Sequence, residues 1–353
     1  MADFNVNHIT GKQGQQGTVL AGVTTVSSIG SMRIPSGSTE HRGGRGRGLI
    51  GAGGYPNGVT GVDYIDIPTT GNGNDFGDLI NGNYGRGSFS SATRGVIGGG
   101  AGSPYTNAIE YNTISSQGGS LDFGDLTIAR RFLRATSNNT RGTWMGGGRP
   151  STDKDVYSIK IDYNEIASRG NAIDFGDMIE GRSGQNATLS SPTRGITAGD
   201  QGYSPYTGVA AASKTIEFIT FATKGNGTLF GELSSERQAL QGLSSHTRGV
   251  FGGGNPGSPA PNNKTDTMEY ITIATLGDVV DFGNLTSAVN SLMGTSNNIR
   301  GVFAGGYAAP AEINVIQYIT IASTGNATDF GDLVNSKGYL PVALSDSHGG
   351  IGD

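Results

Sequence analysis

Short stretches in which apolar and polar positions alternate recur along most of this chain. They read VDYIDI from Val62, IEYNTI from Ile109, YSIKID from Tyr157, IEFITF from Ile216, MEYITI from Met268 and IQYITI from Ile316. A period of two between Gly, Pro, Asn and Ser clusters is the mark of a strand with one buried face. Each is preceded by a short apolar run that opens on Arg-Gly and ends in small residues: RGLIGAGG from Arg47, RGVIGGG from Arg94, RGTWMGGG from Arg141, RGITAGD from Arg194, RGVFGGG from Arg248 and RGVFAGG from Arg300. Each is followed by a Phe-Gly motif, at Phe76, Phe123, Phe175, Phe230, Phe282 and Phe330. Successive Arg-Gly motifs lie 47, 47, 53, 54 and 52 residues apart. A period of about 50 residues signals a repeat architecture.

Each repeat divides into four strands. In the fifth copy these are strand a (239–245), strand b (248–253), strand c (268–275) and strand d (279–285). No segment combines a 3.6-residue period with caps, so no helix is expected. Four short strands per repeat and six repeats predict an all-β fold, a β-propeller of six four-stranded blades. A lone four-stranded sheet cannot bury both faces, and stacking blades around an axis leaves only short edges. The Phe of each third motif is the expected wedge between blades, and the Gly runs are expected where strand b nears the axis. Strand a occurs five times between repeats, and Leu340–Ser345 supplies a sixth, so the C-terminal strand is expected to close the first blade. HGGIGD at His348–Asp353 imitates another strand b. Paired with FNVNHIT near the N-terminus, it would make seven blades. Residues 1–42 lie outside the repeat and are read as an attachment or assembly segment, with 43–353 as the propeller.

Composition changes the picture at a few points. The chain has 353 residues, 62 of them Gly, which sit at fixed offsets and so read as turn and close-packing chemistry rather than disorder. A net charge of −5 argues against nucleic acid as a partner. There is no Cys, which excludes disulfides and thiolate metal sites. No apolar run reaches the roughly 18 residues of a membrane span, and the N-terminus lacks the layout of a secretory signal.

A hydrophobic strand ending in Gly-Gly, then an alternating strand with Tyr, then an aromatic strand resembles the kelch motif. Gly-Gly stands in five copies, and the fourth has Ala198-Gly199-Asp200. Phe replaces the Trp of a standard kelch repeat. The phrases TRGVFGGG, YITIASTGNATDFGDL and PSGSTEHRGGRGRG further resemble repeat proteins encoded by tailed phages of marine cyanobacteria, taken for virion or tail-associated proteins. That resemblance implies a non-enzymatic, multi-copy structural protein of the virion, such as a tail fibre or other component of the particle surface. Residues 1–42 would dock to other virion proteins, and the propeller would be displayed toward a host-surface glycan or protein. The alternatives are a propeller glycan lyase or hydrolase, and an intracellular kelch-like adaptor.

Local motifs are weighed against this frame. Asp-Phe-Gly suggests a kinase magnesium ligand, but it occurs five times without a catalytic loop. Gly46–Gly51 matches GxGxxG but opens no helix, so dinucleotide binding loses its basis. No cofactor, metal or catalytic residue is expected, and the four histidines (His8, His41, His246, His348) read as surface or turn residues. The repeated arginines Arg47, Arg94, Arg141, Arg194, Arg248 and Arg300 are expected to tie blades together. They would do so through strand-end carbonyls or the residues after Phe-Gly (Asp78, Asp125, Asp177, Glu232, Asn284, Asp332). The loops between strands b and c carry Tyr55, Tyr105, Tyr203, Tyr206 and Tyr307 and are the candidate ligand-binding face.

Overall fold

The computed structural model describes residues 46–53, 58–102, 104–148, 157–182, 184–203, 210–256, 263–336 and 342–351. The chain divides between Arg42 and Gly43. The expected attachment segment therefore lies outside the described residues, as do FNVNHIT, Tyr55 and Tyr206.

Six antiparallel sheets, each with the four repeat strands, stand in a ring, a six-bladed β-propeller. No described residue is helical. In the fifth blade the strands are Gln241–Ser244, Arg248–Gly252, Thr267–Thr272 and Val280–Asn284, in the order a-b-c-d. The first blade takes its strand a from the far end of the chain. Val342–Ser345 pairs with Arg47–Gly53, setting Leu344 opposite Leu49. Ring closure thus occurs between strands about 300 residues apart, where Arg47 N donates to Asp346 Oδ1 at 2.9 Å. Ser347–Ile351 forms turns rather than a strand b, so the described chain holds no seventh blade. In the third blade, strand d is long (Ile173–Arg182) and pairs with the hairpin Gln201–Tyr203 and Ala210–Ala212 from the fourth blade's b–c loop.

Apolar alternation builds six clusters, one at each blade interface. Phe123 packs with Val96 and Ile109 of its own blade and with Leu133, Trp144 and Ile166 of the next. Phe330 packs on Ile50, Ile65 and Ile67 of the first blade, so the last interface repeats the others. All six Phe of the third motif are buried, each contributing roughly 1.5–3 kcal/mol by area.

The glycine of each Arg-Gly makes room for the neighbouring blade. A Cβ on Gly142 would lie 2.2 Å from the ring of Phe89, and one on Gly249 or Gly95 would lie 2.6 or 2.8 Å from Leu189 or Leu344. In each case the intruding side chain comes from strand a of the preceding blade. The glycine of each Phe-Gly sits at a β-bulge, where the register of strands c and d shifts. There the c–d turn of the next blade approaches. Gly170 N donates to Phe123 O at 2.9 Å and Ala172 N to Asp125 O at 2.7 Å, and Gly71 N donates to Phe330 O at 2.9 Å across the closure. The outer strand of every blade is therefore capped along its open edge by the next blade, which removes the unpaired edge.

One expectation is corrected here. Strand b does not line the axis; strand a does, with inner strands of adjacent blades packed side by side. The Gly runs instead end strand b. Gly99 and Gly100 have φ of +66° and +125°, a turn that L side chains resist.

Candidate functional site

Three polar systems built on this frame bear on function: the arginines between blades, the axial channel, and the face carrying the b–c loops.

Each Arg-Gly arginine reaches the end of strand c in the next blade. Arg94 Nη1 donates to Ile166 O at 2.7 Å, Arg194 to Ile273 O at 2.7 Å, and Arg248 to Ile321 O at 3.1 Å and Ala322 O at 2.9 Å. Arg47 and Arg141 donate to Ile114 O and Phe221 O, and Arg300 closes the circle on Ile67 O and Pro68 O, both at 3.0 Å. Each guanidinium also lies over the strand-c aromatic of its own blade, from 4.8 Å at Tyr64 to 4.3 Å at Tyr270 and Tyr318. That aromatic meets the Phe-Gly ring edge-on, as Tyr270 does Phe282 at 6.1 Å. The carboxylates after Phe-Gly take other partners: Asp78 accepts from Thr60 Oγ1 at 2.9 Å, Asp177 pairs with Lys160 and Glu232 with Lys214. The arginines find their acceptors in strand-end carbonyls of the next blade instead. Replacing Arg248 by Ala is expected to cost about 1–2 kcal/mol, the worth of charged hydrogen bonds plus ring stacking at a partly exposed site. Urea titration checks this, and an unchanged midpoint would deny the tie.

A second arginine series was not legible as such. Arg86, Arg130, Arg182 and Arg237 are buried and pair with buried carboxylates of strand c: Glu110, Asp162, Glu217 and Glu269. The Arg130–Asp162 contact is 2.5 Å and the Arg182–Glu217 contact 3.0 Å. Arg130 also donates to Gly146 O at 2.9 Å, anchoring the end of strand b. Burial lowers the pKa of Arg237 to about 10, still a cation at neutral pH. The only sequence signal was an acid in the second position of four c motifs, at Asp63, Glu110, Glu217 and Glu269, with Asp162 at the end of YSIKID.

The inner strands Gly87–Ser90, Arg134–Ser137, Ala187–Ser190, Gln241–Ser244, Met293–Ser296 and Val342–Ser345 surround an axial channel. All six end in Ser. Five neighbouring pairs are joined by a hydroxyl donating to the adjacent serine carbonyl, as Ser137 to Ser90 O at 2.7 Å and Ser90 to Ser345 O at 2.6 Å. Between Ser137 and Ser190 stands His348, at 3.2 Å from Ser137 Oγ and 3.4 Å from Ser190 Oγ. Tail residues Gly349 and Gly350 pass so close to the ring that a Cβ on Gly350 would lie 1.9 Å from Ser137 O. His246 Nε2 holds the tail at Ile351 O, 2.6 Å away. His348 and His246 lie in turns, as expected, and are partly buried where the tail runs across this end of the channel. Burial lowers the His348 pKa to about 4, against a hydrogen bond to Ser90 and the charge of Asp346. The enclosed volume is about 80 Å³, room for roughly five to eight waters.

The b–c loops leave the opposite face. Tyr105 is half-buried with the Arg131 guanidinium 4.9 Å from its ring centre, and Lys264 lies 4.6 Å from that of Tyr307. Tyr203 is in the added hairpin, its backbone opposite Gly181. The described loop tyrosines thus belong to separate blades: Tyr105 to the second, Tyr203 to the fourth and Tyr307 to the sixth. The repeat is broken most between the third and fourth blades. There Asp200 replaces a Gly, with φ of +104°, and its carboxylate accepts from Gly184 N at 2.9 Å. Burial and then Asp200 raise the Tyr157 pKa, opposed by Arg131.

A scan against protein-family models finds no match to the chain, and a search of curated proteins finds no significant one.

Proposed function

We propose that the chain is a non-enzymatic structural protein of a phage particle. Residues 1–42 dock it to other virion proteins, many copies are carried on the tail or particle surface, and the propeller faces a host glycan or protein. The phage assignment rests on the resemblance of the repeat phrases. The observation that supports display is the asymmetry of the ring: one face is closed by regular turns and the inserted tail, while the other collects all six irregular b–c loops on a rigid scaffold. Rigid scaffolds with variable loops are a common arrangement for recognition. The channel wall favours binding over hydrolysis, because its side chains are Ser, Thr, aliphatic, Arg, Gln and His, with no carboxylate pair at which glycosidic acid–base chemistry could begin.

Cryo-electron microscopy of purified particles, with immunogold labelling of this chain, tests the reading. The expected result is a six-bladed ring on the particle exterior with its N-terminal side buried. A chain that is absent from particles and soluble in infected cells would replace this reading with an adaptor or an enzyme.

A further inference from the structure

At the open end of the channel, five inner strands begin with uncharged residues: Gly87, Ala187, Gln241, Met293 and Val342. The third begins with Arg134, which pairs across to Met145 at the b–c end of strand b. Its side chain is 8% exposed and lines the cavity. Its Nε and Nη2 are buried and make no hydrogen bond. Asp200 acts on it only through space, and burial outweighs that attraction, lowering its pKa to about 10. The other buried arginines of the paired series each donate to at least one carbonyl and hold a carboxylate, although Arg86 Nη2, Arg130 Nε and Arg237 Nε also lack a hydrogen-bond partner: Arg130 donates to Gly146 O, Lys160 O and Asp162, and Arg182 to Gly199 O, Thr215 O and Glu217. Leaving a guanidinium desolvated without partners costs several kcal/mol and does nothing for the fold.

We propose that Arg134 is the anchor of an anion site in the channel mouth, and that its ligand is a small carboxylate-bearing group entering from the b–c face. A planar guanidinium is a donor fork suited to a carboxylate, and that of Arg134 lines the cavity. Gln241 lines the same cavity and keeps one amide hydrogen to offer beside its bond to Gly242 O, while the Thr188 hydroxyl is donated to Ala135 O at 2.9 Å. A cavity of about 80 Å³ has room for a small carboxylate group. The site lies where the repeat is broken, as a feature serving one ligand rather than six equivalent blades would. It goes beyond the role proposed above and stands whether or not the chain is carried on a particle.

The test uses the full chain in chloride buffer of fixed ionic strength, titrated with sodium acetate, sodium glucuronate and sodium sulfate, with thermal unfolding and calorimetry as readouts. Acetate and glucuronate should stabilise the native protein, and Arg134→Gln should weaken that response about tenfold or more. In the absence of carboxylate, Arg134→Met should melt at a higher temperature than the native protein, because an uncompensated charge has been removed. A structural arginine would do the reverse. Lower stability of both variants in chloride, an undiminished carboxylate response in Arg134→Gln, no response to either carboxylate, or a stronger response to sulfate would each overturn the assignment.

Discussion

Arg237→Ala is expected to lower the unfolding free energy by about 3–5 kcal/mol, because Glu269 would be left buried and charged without its cation. Arg237 is 1% and Glu269 3% exposed, so water cannot take the arginine's place. The whole domain is held by only about 5–15 kcal/mol, so the loss is a large share of it. The sixth blade shows how the loss can be undone. There Val289 stands where the arginine would be and Gln317 where the acid would be. Gln317 Oε1 accepts from Thr286 N at 2.8 Å and Thr286 Oγ1 at 3.1 Å, which serves a neutral amide without any counter-charge. In the fifth blade Ser234 occupies the place of Thr286 and already donates to Glu269. The double variant Arg237→Val with Glu269→Gln should therefore recover most of the stability, although either change alone costs it. Denaturant titrations around the double-mutant cycle measure this coupling. Additive losses would mean that the two side chains are independent, contrary to the burial of the pair.

The second expected effect is on pH. The His348 pKa is lowered from 6.5 in the unfolded chain to about 4 in the folded one. The unfolded state therefore binds the proton first. The stability that neutral His348 provides is complete above pH 6.5 and is lost as pH falls from there to about 4. The interval corresponds to about 3 kcal/mol at full expression. Burial of the ring among Ser137 and Ser190 outweighs the two features that favour the proton, the carbonyl of Ser90 and the charge of Asp346. Because other acids titrate in the same range, the informative quantity is the difference between the native protein and His348→Asn. Melting temperatures of the two should diverge at neutral pH and converge as pH approaches 4. Parallel profiles would show that the tail's histidine does not titrate with folding. Hydrogen exchange at Gly349 and Gly350 should report release of the tail over the same range, ahead of the blades.

Much of this protein is read directly from its residues. The six copies of Arg-Gly, alternating strand and Phe-Gly announce six blades, because each copy by itself leaves a half-buried sheet that needs a neighbour. The closing strand was legible too, since VALS at Val342–Ser345 repeats the apolar-to-serine form of LQGLS and LMGTS. The repeated arginine declared a role common to all blades, but not its acceptor. Carbonyls and carboxylates answer the same donor, and the choice depends on which of them the next blade brings within 3 Å. The glycine after the arginine read as turn and close-packing chemistry, and close packing decides it, against a Phe, Leu or Thr on strand a of the preceding blade.

What escaped the sequence is what breaks the repeat. HGGI near the C-terminus imitates the start of a strand, and only the assembled ring shows that six blades already close and leave the channel as its place. His348 reads as a surface or turn residue, and only the assembled ring shows that its turn lies against the serines. Arg134 sits in a strand of ordinary pattern, RATS, and its lack of partners becomes visible only when the five other inner strands stand around it. The sequence by itself determined the blade, its count and its order, because those depend on short-range periodicity and on apolar faces that every copy must bury. The tertiary structure alone decided which polar groups meet. Hydrogen bonds and ion pairs act over a few ångströms between residues tens to hundreds of positions apart, and a one-dimensional pattern carries no measure of that distance.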